Sequence, residues 1–213
     1  MSKVRVLIAD DHQIVAEGLR SLLEPEFELV ATVADGRAML AAARELRPDV
    51  VVLDITMPGL NGIEAAAQLR ASGSTAKVIF LTMHREATYA ARALDAGAAG
   101  FALKHAAATE LVTAIREAVE GRTYVTPLIA ADLLREYRNH DGHRTTAFEQ
   151  LTARQREVLQ LVAEGHSAKE IARLLHISPR TAEFHKARVM EVLGATTTVE
   201  LIRHAIQHGM TPQ

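Results

Sequence analysis

Residues 50–62 read Val-Val-Val-Leu-Asp-Ile-Thr-Met-Pro-Gly-Leu-Asn-Gly, a short β-branched run that ends in a carboxylate. A near-continuous apolar run of this length is typical of a strand buried on both faces of a sheet. Asn61 is an N-cap residue type and is predicted to cap a helix that begins at Gly62. The stretch therefore predicts a buried strand, a polar end and a return helix.

Four similar runs flank this one, and alanine- and leucine-rich stretches with helical spacing separate them. The runs are residues 4–9, 29–33, 78–81 and 100–103. Strand–helix alternation five times over predicts an α/β doubly wound five-stranded parallel sheet across residues 1–121. Asp35 and Thr109 are predicted to cap the helices that begin at Arg37 and Glu110.

The pattern changes after residue 121. Residues 122–148 are predicted to be a linker, with room for a short helix opened by Thr126-Pro127 and an exposed stretch at 139–146. Residues 149–213 carry helical signals only, which predicts an all-α four-helix helix-turn-helix domain. Its helix starts are three capping boxes and one Ser-Pro pair: Thr152/Gln155, Ser167/Glu170, Thr197/Glu200 and Ser178-Pro179.

Composition excludes several classes of protein. A chain of 213 residues with 48% apolar content can bury a core, so full disorder is excluded. The absence of cysteine excludes disulfides and cysteine-bound metals, and it agrees with a cytoplasmic location. No apolar run is long enough for a membrane span, so no membrane partner is expected. The net charge of −2 means that any DNA contact must be local.

Polar side chains end four of the predicted strands. They are Asp10 and Asp11, Asp54, Thr82, and Lys104. Because parallel strands place such residues at one edge of the sheet, we expect them to form a single cluster. Three carboxylates need cations, and Lys104 with Mg²⁺ would supply them. Asp10 and Asp11 would hold the metal, Asp54 would accept a phosphoryl group, and Lys104 and Thr82 would bind the new phosphate.

The same residues carry a resemblance to a known family. Asp10-Asp11, residues 54–62, Leu81-Thr82 and residues 100–104 resemble the receiver domain of bacterial two-component response regulators, over about residues 3–121. The resemblance implies phosphorylation by a sensor histidine kinase.

The resemblance also implies roles for single residues. Asp54 would be the phosphoacceptor and a Mg²⁺ ligand, and the backbone carbonyl of Thr56 would complete the metal shell. Phe101 would be an aromatic switch that rotates inward as Thr82 moves toward the phosphate. Met83 follows Thr82 where many receivers carry a small residue, and we hypothesise that Met83 and His84 slow the attacking water, although His84 could equally be a solvent-facing loop residue.

The polar face of the predicted helix 179–193 suits DNA. Cap hydroxyls and N-terminal backbone amides bind phosphates, and such a helix fits a major groove. A four-helix protein-binding or dimerisation module is the alternative, and charge does not decide, because residues 149–213 carry 8 Lys/Arg against 7 Asp/Glu.

Residues 151–159, 169–172 and 178–190 resemble the LuxR-type output domain, and a receiver joined to this domain is the architecture of the NarL/FixJ subfamily. The resemblance implies that Glu183 and Phe184 face base edges. It implies phosphate contacts from six residues: Lys169, Ser178, Arg180, Thr181, Lys186 and Arg188. The last helix would form a homodimer that reads an inverted repeat, although its apolar stripe also suits the domain's own core.

The sequence as a whole predicts a phosphorylation-controlled, DNA-binding transcription regulator. Its partners would be a sensor histidine kinase, double-stranded DNA, RNA polymerase and a second copy of the chain. It would not be an enzyme beyond its own Mg²⁺-dependent phosphoryl transfer and autodephosphorylation. Three alternatives remain: a free-standing aspartyl-phosphate hydrolase, a regulator that has lost phosphate control, and a regulator that acts through protein or RNA contacts.

Overall fold

The computed structural model describes residues 3–139 and 146–211. The chain forms two compact units, the first built mainly from residues 3–139 and the second mainly from residues 146–211. Most of the predicted exposed stretch at 139–146 lies outside the described residues.

The first unit contains a parallel sheet with the strand order β2-β1-β3-β4-β5-β6. The five predicted strands are present, and a two-residue strand, β6, follows them as an addition that the sequence did not indicate. The strands are β1 Arg5–Ala9, β2 Glu28–Val33, β3 Val50–Leu53, β4 Lys77–Thr82, β5 Gly100–Leu103 and β6 Tyr124–Val125.

Five helices alternate with these strands, and a sixth follows β6. They are α1 Gln13–Leu23, α2 Gly36–Leu46, α3 Gly62–Ala71, α4 Ala87–Asp95, α5 Ala107–Val119 and α6 Pro127–Asn139. The alternation of inward and outward residues along each strand divides the core between two faces. Val6, Val52 and Ile79 lie on the face covered by α1 and α5, where they pack against Leu19 and Leu111.

Two of the three predicted caps in this unit are confirmed. The Asp35 side chain accepts a hydrogen bond from the Ala38 amide at the start of α2. The Asn61 side chain accepts one from the Glu64 amide at the start of α3. The predicted Thr109 cap is wrong, because α5 begins two residues before Thr109, directly after a 3-10 turn at Lys104–Ala106. The Thr109 hydroxyl instead donates to the Ala106 carbonyl at 3.0 Å.

The helix α6 is longer than the short helix that the sequence suggested. It has 13 residues, buries Ile129 and Leu133, and packs against α4. The Tyr137 hydroxyl donates to the Asp95 carboxylate at 3.3 Å. The chain from β6 to α6 is therefore ordered against the first unit.

The second unit contains four helices, as predicted: α7 Ala153–Ala163, α8 Ala168–Leu174, α9 Pro179–Leu193 and α10 Thr198–Gln207. All three predicted capping boxes form, and Ser178 caps α9 ahead of Pro179. The turn between α8 and α9 holds His176 in the left-handed region, with φ of 53°. The Arg154 guanidinium donates to the Leu175 carbonyl, which fixes this turn to α7.

Candidate functional site

The carboxyl edge of the sheet brings an ammonium group between two carboxylates. Asp10 follows β1, Asp54 follows β3, and Lys104 begins the turn after β5. Lys104 Nζ lies 2.7 Å from Asp10 Oδ2 and 2.7 Å from Asp54 Oδ2, and all three side chains are buried. Three separate strand ends therefore meet at one point, as the parallel topology requires.

The electrostatics of this cluster leave a negative excess. The pKa of Asp54 is raised to about 6, chiefly by burial and in smaller part by Asp10, against the opposing pull of Lys104. Burial acts against the charge of Lys104, but Asp54 and Asp10 outweigh it and raise the pKa of the ammonium. One ammonium cannot neutralise the carboxylates of Asp10, Asp11 and Asp54, so the site favours an added cation.

Asp11 and His12 complete the cluster. One ligand atom each from Asp10, Asp11, His12 and Asp54 lie within 4.8 Å of one another. His12 Nδ1 is 2.9 Å from Asp11 Oδ1 and 3.2 Å from Asp10 Oδ1, and the His12 amide donates to Asp10 Oδ1 at 2.9 Å. Sequence reasoning missed His12, although its position directly after the two aspartates was a signal. A donor set dominated by carboxylate oxygens fits a hard divalent cation such as Mg²⁺.

The ends of β3 and β4 are joined beside the cluster. Thr82 is fully buried, and its hydroxyl oxygen accepts a hydrogen bond from the His84 amide at 3.2 Å. The Thr56 hydroxyl oxygen is 2.9 Å from His84 Nε2. The His84 ring packs on Tyr89 with 4.3 Å between centroids, and burial lowers the pKa of His84. Met83 is 65% exposed. His84 is therefore an anchored side chain rather than a solvent-facing one.

Phe101 lies inside the first unit. It is fully buried in β5, where its register partners are Phe80 in β4 and Val125 in β6. The aromatic ring thus occupies an inward position. Phe101 lies three residues before Lys104, which begins the turn after β5.

A buried threonine ties β5 to the start of α6. The Thr126 amide donates to the Phe101 carbonyl at 3.0 Å, and the Thr126 hydroxyl donates to Glu110 Oε2 at 2.6 Å. The Leu103 amide donates to the same hydroxyl oxygen at 3.3 Å. Sequence reasoning identified Thr126 only as a helix start, because a single threonine carries no signal for three tertiary contacts.

The second unit presents α9 on its surface. Ala182 and Val189 are buried on the core side of the helix, as the helical period predicts. The Ser178 hydroxyl caps the helix by accepting from the Thr181 amide at 3.1 Å.

Each residue predicted to contact DNA lies at least partly on the surface. Phe184 is 61% exposed, so its ring is available to a partner molecule. Five others are exposed and two are half-buried: exposed Lys169, Ser178, Arg180, Glu183 and Arg188, and half-buried Thr181 and Lys186. Arg188 also pairs with Glu191 at 2.5 Å.

The last helix, α10, has two apolar faces. Leu201 and Ala205 are fully buried in the core of the second unit. Val199 is 66% exposed, and Ile202 and Ile206 are half-buried. The buried residues support a role of this helix in the domain's own core, and the exposed ones leave an apolar surface for a dimer contact.

The first unit is a doubly wound sheet with a carboxylate–lysine cluster at its carboxyl edge, and the second is a helix-turn-helix unit. Together they define the class of two-domain regulators, in which an α/β input domain is joined to a nucleic-acid-binding output domain. Comparison with protein families matches residues 6–116 to the response regulator receiver domain and residues 149–205 to the bacterial regulatory proteins of the luxR family. The chain belongs to the two-component response regulators that join a receiver domain to a LuxR-type DNA-binding domain.

Relatives and solved structures agree with this assignment. The transcriptional regulatory protein MctR of Rhizobium johnstonii is 38% identical over 98% of this chain and 95% of its own length. The response regulator GacA of Pseudomonas aeruginosa is 37% identical over 97% of each chain. The structure of the response regulator RcsB in complex with DNA superposes with a TM-score of 0.61 at 27% identity, over 99% of this chain and all of that one. Within the two described ranges, every helix is too short or too polar to cross a bilayer.

Proposed function

We propose that Asp54 is the phosphoacceptor of this response regulator and that its phosphorylation controls sequence-specific DNA binding. The observation that carries the proposal is the position of Lys104 Nζ, 2.7 Å from Asp54 Oδ2 and 2.7 Å from Asp10 Oδ2. Asp54 stands at the end of a central, fully buried strand, which holds its carboxylate at a fixed point of the pocket.

In the proposed reaction, an Asp54 carboxylate oxygen attacks the phosphorus of a phosphohistidine on a sensor histidine kinase. The new O–P bond forms as the P–N bond breaks, and the imidazole leaves with the bonding electrons. Mg²⁺ would supply charge neutralisation on the phosphoryl oxygens, held by Asp10, Asp11, Asp54 and the Thr56 carbonyl. Lys104 would exchange part of its contact with Asp54 for an ion pair with the phosphoryl group, and hydrolysis by water would later free Asp54.

The response to phosphate runs through Thr82 and Phe101. The Thr82 hydroxyl oxygen accepts from the His84 amide, and its own proton would donate to a phosphoryl oxygen. Movement of Thr82 would alter the space available to Phe101, which lies on the neighbouring strand. We propose that this change biases the regulator between two states that differ in DNA binding.

In the output domain, we propose that α9 enters a major groove. Glu183 and Phe184 would face base edges, where a carboxylate can accept from cytosine and an aromatic ring can contact a thymine methyl. Phosphates would bind to the surrounding cationic and hydroxyl groups: Lys169, Ser178, Arg180, Thr181, Lys186 and Arg188. The exposed side of α10 would form a homodimer on an inverted repeat.

The proposed division of the chain is a receiver at residues 1–121, a linker at 122–148 whose first part, β6 and α6, packs on the receiver, and an output domain at 149–213. Transcriptional control would follow from contact of the DNA-bound dimer with RNA polymerase. Because the kinase and the promoter must both reach this chain, we place its action in the cytoplasm.

The test is selection of bound duplexes from a random pool by the full chain in Mg²⁺, with and without beryllofluoride, which mimics aspartyl phosphate. Enrichment of an inverted repeat only with beryllofluoride is the expected result. Asp54→Asn is the matched control, since it keeps the size of the side chain and should remove the beryllofluoride response. Equal enrichment in both arms would refute phosphate control, and no enrichment in either arm would refute the DNA output.

A further inference from the structure

The amino-terminal edge of the receiver sheet, opposite the phosphoacceptor, contains an open cleft of about 840 Å³. The second half of α2, the end of α3, the two residues that precede β1 and the first residue of β4 contribute to its walls. None of the residues assigned above to phosphorylation or DNA binding lines this cleft, so it has no role in either proposal.

The cleft is strongly cationic for a chain with a net charge of −2. Lys3, Arg44, Arg47 and Lys77 line it, against a single carboxylate, Asp49. Asp49 is already committed, because its Oδ2 accepts a hydrogen bond from the Arg5 amide at 2.8 Å. The lining of the cleft therefore carries an excess of positive charge in a chain that is acidic overall.

The carboxyl ends of α1 and α2 carry unpaired carbonyl groups, and cations other than Arg44 and Arg47 already bind these carbonyls. At the end of α2, the Arg5 guanidinium donates to the Leu46 carbonyl at 2.5 Å and to the Arg47 carbonyl at 3.1 Å. Beyond the end of α1, Lys3 Nζ donates to the carbonyls of Glu24 and Pro25 at 3.2 and 3.3 Å.

Three of the four cationic side chains that line the cleft have no partner among the described residues. Within residues 3–139 and 146–211, the side chains of Arg44, Arg47 and Lys77 make neither an ion pair nor a hydrogen bond. Arg47 also adopts φ of 46°, in the left-handed region where glycine or asparagine normally ends a helix. A charged side chain thus occupies a backbone position that disfavours it.

Part of the cleft lining is apolar. Val4, Leu40, Leu69 and Val119 form this part, and Val119 is 46% exposed. A ligand that suits both kinds of lining residue would place two or more anionic groups against Arg44 and Arg47 and an apolar ring against the apolar side chains. We propose that this cleft binds a nucleoside diphosphate or triphosphate.

The experiment is titration of the full chain with N-methylanthraniloyl-ADP, followed by fluorescence and by competition with unlabelled ADP and inorganic pyrophosphate. EDTA is present throughout, so that metal-bridged binding at the acidic edge does not contribute. The cleft variant is Arg44→Gln/Arg47→Gln. The control, Arg135→Gln/Arg138→Gln, removes the same charge from the exposed side of α6.

We expect saturable binding, stronger competition by ADP than by pyrophosphate, and affinity about tenfold lower in the cleft variant than in the control. On the wild-type chain, ADP should slow amide hydrogen exchange in residues 40–49, a readout that requires no variant. The proposal is overturned by lack of saturation, by equal affinity of the two variants, or by protection that is absent from residues 40–49. Pyrophosphate that competes as well as ADP would also overturn it, because the nucleoside would then gain nothing from the apolar part of the lining.

Discussion

Thr56 Oγ1 lies 2.9 Å from His84 Nε2, so a side chain that follows β3 is held by one that follows β4. The His84 ring is itself held against Tyr89. These contacts lie at the same edge of the sheet as the carboxylate that we propose to be phosphorylated, and we expect them to restrict the approach of water to it.

His84→Ala should therefore shorten the lifetime of the phosphorylated protein. Loss of the ring frees the Thr56 side chain and opens a path for water, and a barrier lowered by on the order of 1 kcal/mol corresponds to a roughly fivefold faster loss of phosphate. Decay of the ³²P-labelled protein measures the rate. Met83→Ala tests whether the size of the Met83 side chain contributes, apart from the His84 contacts. An unchanged rate in that variant would show that the exposed Met83 side chain gives no steric protection.

The stability of the metal-free protein should depend on pH through Asp54. Its pKa is about 6 in the folded chain and 3.8 in its ordinary state, so the folded protein binds the proton more tightly. The free energy of unfolding should fall as pH rises through that window, by about 3 kcal/mol from this group. Urea unfolding in EDTA at several pH values tests this, and Asp54→Asn should show a smaller decrease over the same window.

Two glycines should respond in opposite ways to alanine. A Cβ atom on Gly62 would lie 2.0 Å from the Asp54 carbonyl oxygen, whereas one on Gly18 would meet nothing within 4 Å. Gly62→Ala should destabilise the protein by more than about 2 kcal/mol, because backbone must move. Gly18→Ala, in the exposed middle of α1, should stabilise it by about 0.5–1 kcal/mol. Equal midpoints of chemical unfolding for the two variants would contradict the close approach of α3 to Asp54.

Thr126→Val should destabilise the receiver although it preserves the shape of the side chain. The variant leaves the Leu103 amide without its partner and removes the 2.6 Å hydrogen bond to Glu110. An unpaired buried polar group costs about 1–3 kcal/mol. Thr126→Ser keeps the hydroxyl and should lose less stability, so chemical unfolding of the two variants separates the hydrogen bonds from packing.

In the output domain, Arg180→Ala and Glu183→Gln should weaken DNA binding in different ways. Loss of a phosphate contact lowers affinity for all duplexes alike and reduces the salt slope by about 1. Glu183→Gln should remove a base contact and change the preferred sequence, with a loss of about 1–3 kcal/mol of discrimination at one base pair. Fluorescence anisotropy on the selected duplex and its single-base variants, at several salt concentrations, distinguishes the two. A change of preferred base in Arg180→Ala, or none in Glu183→Gln, would reverse the proposed roles.

The sequence predicted those parts of the fold whose signals are local and repeated. Five apolar runs, four of them followed directly by a polar residue, were enough to predict a parallel sheet and to bring Asp10, Asp54 and Lys104 together, because parallel strands end at one edge. The capping boxes of the second unit were predictable for a similar reason, since each is a pattern over four residues.

The remaining features depend on tertiary contacts. Tyr124-Val125 is too short to show a strand period, and it pairs only because β5 offers an open edge. The start of α5 was misplaced because the 3-10 turn after Lys104 runs directly into the helix, so no polar cap marks the boundary. The link between His84 and Thr56 joins residues 28 positions apart, and neither residue type predicts the other.

The strand β6 has a consequence for how the protein behaves in concentrated solution. Without it, β5 would be the edge of the sheet and would offer four residues of unpaired backbone to another chain. β6 covers that edge, is itself only two residues long, and is followed within two residues by Pro127, which has no amide hydrogen to donate. Short edges that end near proline resist the addition of foreign strands, so this side of the sheet is protected against edge-to-edge aggregation.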